Sequence, residues 1–319
     1  MVNTDITLLT KKPLGYRLKR YFTRAKQYKL CYLMLIPLVV FLAIFRYYPM
    51  ISQFAIAFTN YRFVDGIWGS PWVGLAHFQR MFDSATFYRV VWNTFYIAVL
   101  RIAWGFWPPI ILAIIINELR SKLFRSFGQT ILYLPHFLSW VVVYGIAFAF
   151  MSPGFGIINN WLEMFGFDRV DLMMSVDAFR PTIIITHLWK NMGWGTIIYL
   201  AALAGIDQEL YNAAAIDGAN VWQRIWYITL PSLKGVIVFV LTLTMGSLLA
   251  AGFEQILLFQ NAATFQVSDV IETWVFRRGL QGMEYSFATA VSIFQGIIGL
   301  ILIMTANKIA NKLAGTGIW

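Results

Sequence analysis

Charged residues are scarce in this chain, and long apolar runs take their place. Of its 319 residues 13% are charged and 59% are hydrophobic, and the mean hydropathy is +0.64. A soluble domain usually has about 25% charged and about 45–50% apolar residues. The single cysteine, Cys31, allows no internal disulfide and no CxxC metal or redox motif. These deficits exclude an ordinary soluble domain and a disulfide scaffold.

The sequence motifs of common enzymes are missing as well. No Gly-Lys pair occurs, so the chain lacks the phosphate-binding GxxxxGK[ST] loop of an ATPase. HExxH and GxSxG patterns are also missing. The three histidines, His77, His136 and His187, lie far apart without the spacing of metal ligands, and we expect isolated polar side chains. We therefore predict no catalytic residue, no metal site and no enzymatic activity in this chain.

Apolar segments of membrane-spanning length are the main positive feature. A transmembrane helix needs about 20 mostly apolar residues, whereas barrel strands would show alternating segments of about ten. The sequence predicts an all-α, polytopic membrane protein with six spans, at about Leu30–Tyr47, Val90–Ile116, Ile131–Met151, Pro181–Gly205, Gly235–Phe253 and Tyr285–Ala306. The first segment follows a basic region, as a signal peptide would, but no small-x-small cleavage site follows it. We expect it to remain as the first span.

The basic residues orient these spans. Lys and Arg collect in cytoplasmic loops, and fifteen of them fall on the side that holds both termini, against eight on the other. Both termini are therefore predicted to be cytoplasmic. We expect a basic arm at 1–29, a permease-like membrane domain at 30–312 and a short tail at 313–319. The arm suits an anionic lipid surface, and no basic patch on a soluble face indicates nucleic-acid binding.

Three long segments are predicted on the external side, at 60–89, 152–180 and 253–284. The first and third each contain an amphipathic stretch, WVGLAHFQRMF and Val267–Leu280. Segments of this size can seat a soluble partner, or they can simply cover the helix ends. The residues alone leave both alternatives open.

A polar, amphipathic loop at about 206–231 separates the fourth and fifth predicted spans. Asp207 is a plausible helix N-cap, Gly218 can end that helix in the left-handed conformation, and Asn220 can cap a second helix. Pro231 fits the first turn of the fifth span. The pattern predicts two short helices at an angle, which is either a rigid mechanical element or an ordinary amphipathic connector.

The loop resembles the EAA loop of ATP-binding-cassette (ABC) importer permeases, because its small residues and its final proline have that signature's spacing. The matching positions are Ala213, Ala214, Gly218, Ile228, Leu230 and Pro231. Further stretches similar to the carbohydrate branch of the family are Trp72–Leu75, Asn93–Thr94, Trp189–Gly195, Tyr199–Leu203 and Val270–Leu280. The resemblance implies the type I importer (MetI-like) core. It also implies an ATPase contact at Asn212, Ala213, Ala214, Asp217, Gly218, Ala219, Trp222 and Arg224.

One position departs from the family pattern. Asn212 stands where the signature has glutamate, so this side chain can form hydrogen bonds but no ion pair with the ATPase. Either the partner surface differs, or a second permease subunit bears the stronger contact.

The resemblance implies a permease in the bacterial cytoplasmic membrane that imports oligosaccharides and holds no cofactor. The implied partners are a second, homologous permease in a heterodimer, two copies of an ATPase that binds ATP and Mg, and an extracytoplasmic solute-binding protein. Two alternatives stay open. The solute can be glycerol phosphate or a peptide, or the chain can be a membrane-embedded enzyme acting on lipid-linked sugars.

Sugars present hydroxyl groups and weakly polar C–H faces, which suit flat rings together with amide and charged groups. Candidates for the substrate pathway with this chemistry are Tyr144, Trp189, Lys190, Asn191, Trp194, Phe253, Glu254, Gln255 and Gln295. Most aromatic residues of such a chain serve as membrane-belt anchors or packing residues instead. Arg101 and Lys190 are each the one charged residue of their span, and we expect a structural pair or an interfacial position unless they serve transport.

Overall fold

The computed structural model describes residues 27–246, 249 and 251–314. The chain divides into two compact units, Met1–Ala55 and Ile56–Trp319, and every site discussed below lies in the second. In chain order the helices are α1 (Lys29–Leu42), α2 (Tyr48–Phe58), α3 (Gly66–Gly69), α4 (Ala76–Phe82), α5 (Ala85–Gly105), α6 (Trp107–Glu118), α7 (Lys122–Tyr133), α8 (Trp140–Met151), α9 (Ile157–Met164), α10 (Val176–Ala204), α11 (Gln208–Ile216), α12 (Val221–Arg224), α13 (Leu230–Gly246), α14 (Phe253–Phe259), α15 (Phe265–Ser268), α16 (Ile271–Phe276) and α17 (Tyr285–Ala314).

The all-α prediction is confirmed. Within the described residues the only β pairing is an isolated antiparallel bridge between Thr59 and Trp72. π-helical turns at Ala43–Tyr47, Ile225–Thr229 and Arg277–Gln281 join α1 to α2, join α12 to α13 and follow α16.

Long helices match most of the predicted spans. Those long and apolar enough to cross a membrane are Lys29–Phe58, Ala85–Glu118, Val221–Met245 and Tyr285–Ile309. A fifth candidate is a bent pair, Lys122–Phe137 with Trp140–Met151. Helix α10 has 29 residues, enough for about 43 Å, but it is more polar than these spans. The count of six spans therefore stays a prediction.

The third predicted span, Ile131–Met151, is not one straight helix in the structure. The chain turns by 100° between the Lys122–Phe137 and Trp140–Met151 segments. A 3₁₀ turn at Leu134–Phe137 contains Pro135, which removes a backbone donor and ends α7. Ser139 is extended and its hydroxyl accepts from the Val142 N–H, so a new helix begins there.

The predicted boundaries of the fifth span are wrong. Its helix begins at Val221, within the loop, because the π-helical turn at Ile225–Thr229 carries the chain directly from α12 into α13. Pro231 therefore lies inside a continuous helix. Proline cannot donate to the carbonyl four residues earlier, and a local π turn relieves the clash of its ring. At the other end Gly252 adopts φ +82°, and Phe253 begins the separate helix α14.

Helix α10 lies at the centre of the second unit. It contacts α5, α6, α7 and α13, while α13 and α17 pack against each other. One apolar cluster joins α6 and α10 to the start of α13 through Ile110, Ala113, Tyr199, Leu203 and Leu233, all nearly without exposed surface. A second cluster packs α14 against α5, α8 and α10, with Ile97, Ile183 and Ile256 at its centre.

Candidate functional site

The loop between α10 and α13 ends its first helix in a well-defined turn. The Asp207 carboxylate accepts from the Glu209 N–H at 2.9 Å and caps the start of α11. At the other end Gly218 has φ +77°, and the N–H groups of Gly218 and Ala219 donate to the carbonyls of Ala215 and Ala214. This bonding is the Schellman motif, which requires the left-handed conformation at its glycine. The predicted capping and hinge residues are confirmed.

The second helix of the loop also has a well-defined N-cap. The Asn220 side chain accepts from the Gln223 N–H at 2.9 Å, and the Gln223 side chain accepts from the Asn220 N–H at 2.8 Å. This reciprocal pair is a capping box. Because α12 continues into α13, the loop is one short helix joined by a stiff turn to a membrane helix, rather than two free short helices.

Several contacts fix the loop to the membrane domain. The Tyr211 hydroxyl lies 3.0 Å from the hydroxyl of Thr229, which is fully buried. Ile206 and Ile225 pack against the cluster shared by α6, α10 and α13. Arg224, predicted to face the ATPase, is half-buried and lies 3.9 Å from the Glu118 carboxylate at the end of α6. The loop is therefore packed against α6, α10 and α13.

The outer surface of the loop is exposed and apolar at its tip. Asn212, Ala213, Asp217, Gly218 and Trp222 are exposed, whereas Ala214 and Ala219 are partly covered. Trp222 is 72% exposed, and Ile216, which sequence reasoning passed over, is 87% exposed. Large apolar side chains in such positions are typical of a surface that another protein covers.

A cluster of rings and amides forms where α7, α8 and α10 meet. The Asn191 side chain lies 3.3 Å from His136 Nδ1 and 3.4 Å from His187 Nδ1. The His136 ring stacks on Trp194 at a centroid distance of 4.4 Å, and His187 stacks on Trp140 at 6.4 Å. The expectation that these two histidines are isolated is wrong, because the bend after α7 brings His136 back onto α10. Among the described residues no group of three or more His, Cys, Asp or Glu has the geometry of a metal site.

Lys190 has a clear structural contact within this cluster. It is 7% exposed, and its Nζ donates to the carbonyl oxygens of His136 and Leu138 at 2.6 and 2.5 Å. These carbonyls lie at the 100° bend. Lys190 therefore stabilises the bend.

Arg101 bonds to the start of α14. Its Nη2 donates to Gln255 Oε1, and Gln255 is fully buried. The Gln255 amide in turn donates to the Ile183 carbonyl and the Thr186 hydroxyl, both at 2.8 Å. Gln255 exposes no surface in this structure, so contact with a passing solute would need a rearrangement, and its pathway role stays a prediction.

The remaining pathway candidates are distributed over four helices, α8, α10, α14 and α17. Phe253 and Gln295 line one cavity of about 480 Å³ together with Glu272. The Gln295 amide donates to the Leu249 carbonyl at 2.9 Å, Glu254 is exposed, and Tyr144 packs edge-on against Phe259. Trp189 is partly exposed beside an apolar cavity between α8 and α10.

Glu272 is a charged residue of this region that sequence reasoning did not select. Its carboxyl is partly buried in α16, outside the membrane-spanning helices, and burial raises its pKa above the usual value. The Phe253 N–H and the positive charge of Arg101 act in the opposite direction on the same pKa.

A buried polar network fastens the segment of α15 and α16 to the N-terminal halves of α5 and α10. The Asn93 amide donates to the carbonyls of Gln266 and Asp269 at 3.0 and 3.1 Å and accepts from Arg180 at 3.0 Å. The Thr94 hydroxyl accepts from the Ile271 N–H at 2.9 Å. The Asn93–Thr94 pair, noted in the sequence only as a familiar motif, therefore has a structural explanation.

Taken together, several membrane-length helices, a stiff exposed loop and cavities between the helices are the features expected of a membrane transport protein. The family model described as "Binding-protein-dependent transport system inner membrane component" matches residues 105–314. This chain belongs to that family, as the resemblance in the loop predicted.

Relatives over almost the whole length support the assignment. The chain is 41% identical to the polygalacturonan/rhamnogalacturonan transport system permease protein YteP of Bacillus subtilis (strain 168), over 94% of each protein. It is 40% identical to the protein LplB of the same organism, over 92% of each. The crystal structure of a bacterial ABC transporter that imports the acidic polysaccharide alginate matches with a TM-score of 0.86 and 39% identity, covering 92% of this chain and 99% of that chain.

Proposed function

We propose that this permease is one half of a heterodimeric, ATP-driven importer of acidic oligosaccharides. A second permease completes the membrane channel, two copies of an ATPase bind ATP and Mg, and an extracytoplasmic binding protein delivers the solute. The observation that carries the proposal is the exposed, rigid loop around Gly218, which is fixed to three membrane helices and presents Ile216 and Trp222 outward. The chain itself has no phosphate-binding loop, so the energy comes from the partner.

The loop performs the coupling step. Closure of the ATPases moves α11 and the turn that follows it, and the contacts of Tyr211 and Ile225 transmit this movement to the spans. The nucleotide thereby favours one of two permease conformations, in proportion to its differential affinity for them. The excess of basic residues on the side of the loop supports a cytoplasmic location for the loop and both termini.

The solute class is supported by the substrates named for the relatives and by the side chains of this chain. Polygalacturonan and alginate, named for two relatives, are polymers of sugar acids. In this chain the stacked rings of His136 and Trp194 offer flat faces to a sugar, and Asn191 offers an amide. Arg101 supplies a positive charge in a neighbouring cavity.

Reconstitution of the complete complex tests the proposal. We expect proteoliposomes that contain both permeases and the ATPase to take up labelled trigalacturonate only with internal ATP and the external binding protein. An ATPase with an inactivated phosphate-binding loop is the matched control and abolishes uptake. Uptake without the ATPase, chemical turnover of a lipid-linked sugar, or transport restricted to a peptide or glycerol phosphate would contradict the proposal.

A further inference from the structure

A cavity of about 390 Å³ lies among α5, α6, α10 and α13, and its wall carries one fixed positive charge. Apolar side chains such as Ile102 and Leu243 form much of the lining. Arg101, His187 and Asn191 contribute polar groups. A cavity of this kind, mostly apolar with a few convergent polar groups, is typical of a small-molecule site.

The guanidinium of Arg101 has a hydrogen-bond partner on one edge and lacks one at another donor. Its Nη2 is held by Gln255, whose own amide is fully used by Ile183 and Thr186. Its Nε is buried and has no hydrogen-bond partner among the described residues. A buried donor without a partner costs about 1–3 kcal/mol, and more when it is charged, so the present position of the Arg101 guanidinium is costly.

The charge of Arg101 is not neutralised by direct contact. Within the described part of the chain no carboxylate lies within 4.0 Å of it, and Glu272 acts on it only at longer range. The backbone nevertheless approaches it closely: a Cβ at Gly252 would collide with the guanidinium, and that glycine has φ +82°. The chain thus holds an unpaired cation rigidly at a cavity wall in a membrane domain, where such a charge is costly.

We infer that Arg101 is a specificity-determining residue that binds a carboxylate of the passing acidic oligosaccharide in this cavity. The inference rests on the proposed function, since it assigns to that function the group that recognises its charge. A guanidinium forms strong, directional hydrogen bonds with a carboxylate. Gln255 keeps the guanidinium oriented while the solute occupies the remaining donors.

Thiol labelling of the cavity tests the charge without reference to transport. Cys31→Ser removes the native thiol, and Met192→Cys places a new one on the cavity wall. We compare the labelling rates of anionic sulfonatoethyl methanethiosulfonate and neutral methyl methanethiosulfonate in the assembled complex. Arg101→Gln is expected to lower the anionic-to-neutral rate ratio about tenfold, which corresponds to a loss of about 1.4 kcal/mol of electrostatic attraction.

Two further variants keep the test decisive. Arg101→Lys keeps the charge and should keep most of the ratio, which separates the charge from the packing of the arginine. Arg180→Gln removes another arginine of the second unit, one that lines a different cavity, and should leave the ratio unchanged. A ratio that does not respond to Arg101→Gln in a complex that still assembles would overturn the inference.

Protection by solute requires no Arg101 variant and links the site to transport. Trigalacturonate should slow labelling at position 192 at least about tenfold more effectively than its neutral methyl ester, matching the charge effect above. Equal protection by both saccharides would overturn the inference, even if uptake is normal. If the ratio depends on Arg101 but the complex transports neither saccharide, the anion site stands and the proposed function is wrong.

Discussion

Gly218 provides a direct test of the coupling loop, because a substitution there changes the backbone preference without a steric clash. Its φ of +77° is strained for any residue with a branched side chain, yet a Cβ at this position would meet no atom within 4 Å. Valine at 218 therefore changes the backbone preference without creating a clash. A residue forced into this region costs about 1–3 kcal/mol.

That cost acts directly on the turn. About 2 kcal/mol multiplies the population of alternative turns by about 30, since 1.4 kcal/mol corresponds to a factor of ten. In the alternative turns α11 no longer has a fixed angle to α12, and the ATPase stroke is lost before it reaches the spans. We expect Gly218→Val to lower solute uptake per ATP hydrolysed at least about tenfold.

The assay measures uptake and ATP hydrolysis together in proteoliposomes that contain the whole complex. Gly218→Asn is a conservative variant, because asparagine tolerates the left-handed region. Gly235→Val is the matched control, since it adds the same side chain within helix α13, where open space also surrounds the glycine. Uptake per ATP within twofold of the parent protein for Gly218→Val, in a fully assembled complex, would refute the mechanical role of the turn.

Three further predictions concern the stability of the membrane domain, measured as the free energy of unfolding of the purified chain in detergent. Asn93→Ala removes three hydrogen bonds of a buried side chain and should cost about 2–4 kcal/mol, whereas Thr289→Ala removes one bond within its own helix and should cost about 1 kcal/mol; equal losses would contradict the network. Asp269→Asn weakens a pair in which Arg277 lies 2.6 Å from a carboxylate that is 2% exposed, and it should cost about 3 kcal/mol, against less than about 1 kcal/mol for Glu163→Gln in the exposed pair with Arg169. Gly193→Ala places a methyl group against the Leu132 backbone and should cost about 1–3 kcal/mol, while Gly145→Ala, in open space, should be neutral or stabilising; tolerance of Gly193→Ala would show that α7 shifts freely on α10.

Local chemistry made the coupling loop predictable. Asp207, Gly218 and Asn220 act through bonds to groups two to five residues away, so a single sequence contains the whole determinant. The family resemblance rests on the same stretch. The roles of the exposed loop residues stay predictions, because they depend on a partner's surface.

Long-range contacts explain what the sequence did not reveal. Asn93 meets carbonyls 173 and 176 residues later in the chain, and Arg101 meets Gln255 154 residues later. The bend after Phe137 depends on Pro135, which is visible, and on Lys190, which satisfies the freed carbonyls from another helix. Hydropathy alone therefore did not reveal the bend in the third span. It also gave no sign that Lys190 donates hydrogen bonds to the carbonyls at that bend.

These long-range bonds share one element, the predicted second span formed by α5 and α6. One end holds the α15–α16 segment through Asn93 and Thr94, the middle holds α14 through Arg101, and the other end faces the coupling loop through Glu118. The contacts at the two ends are 25 residues apart, about 37 Å along a helix, which exceeds the thickness of the membrane core. A movement of the loop and a movement of the α15–α16 segment therefore act on the same helix pair. Because the Arg101 contact lies between them, the group that we assign to solute recognition is positioned to respond to both.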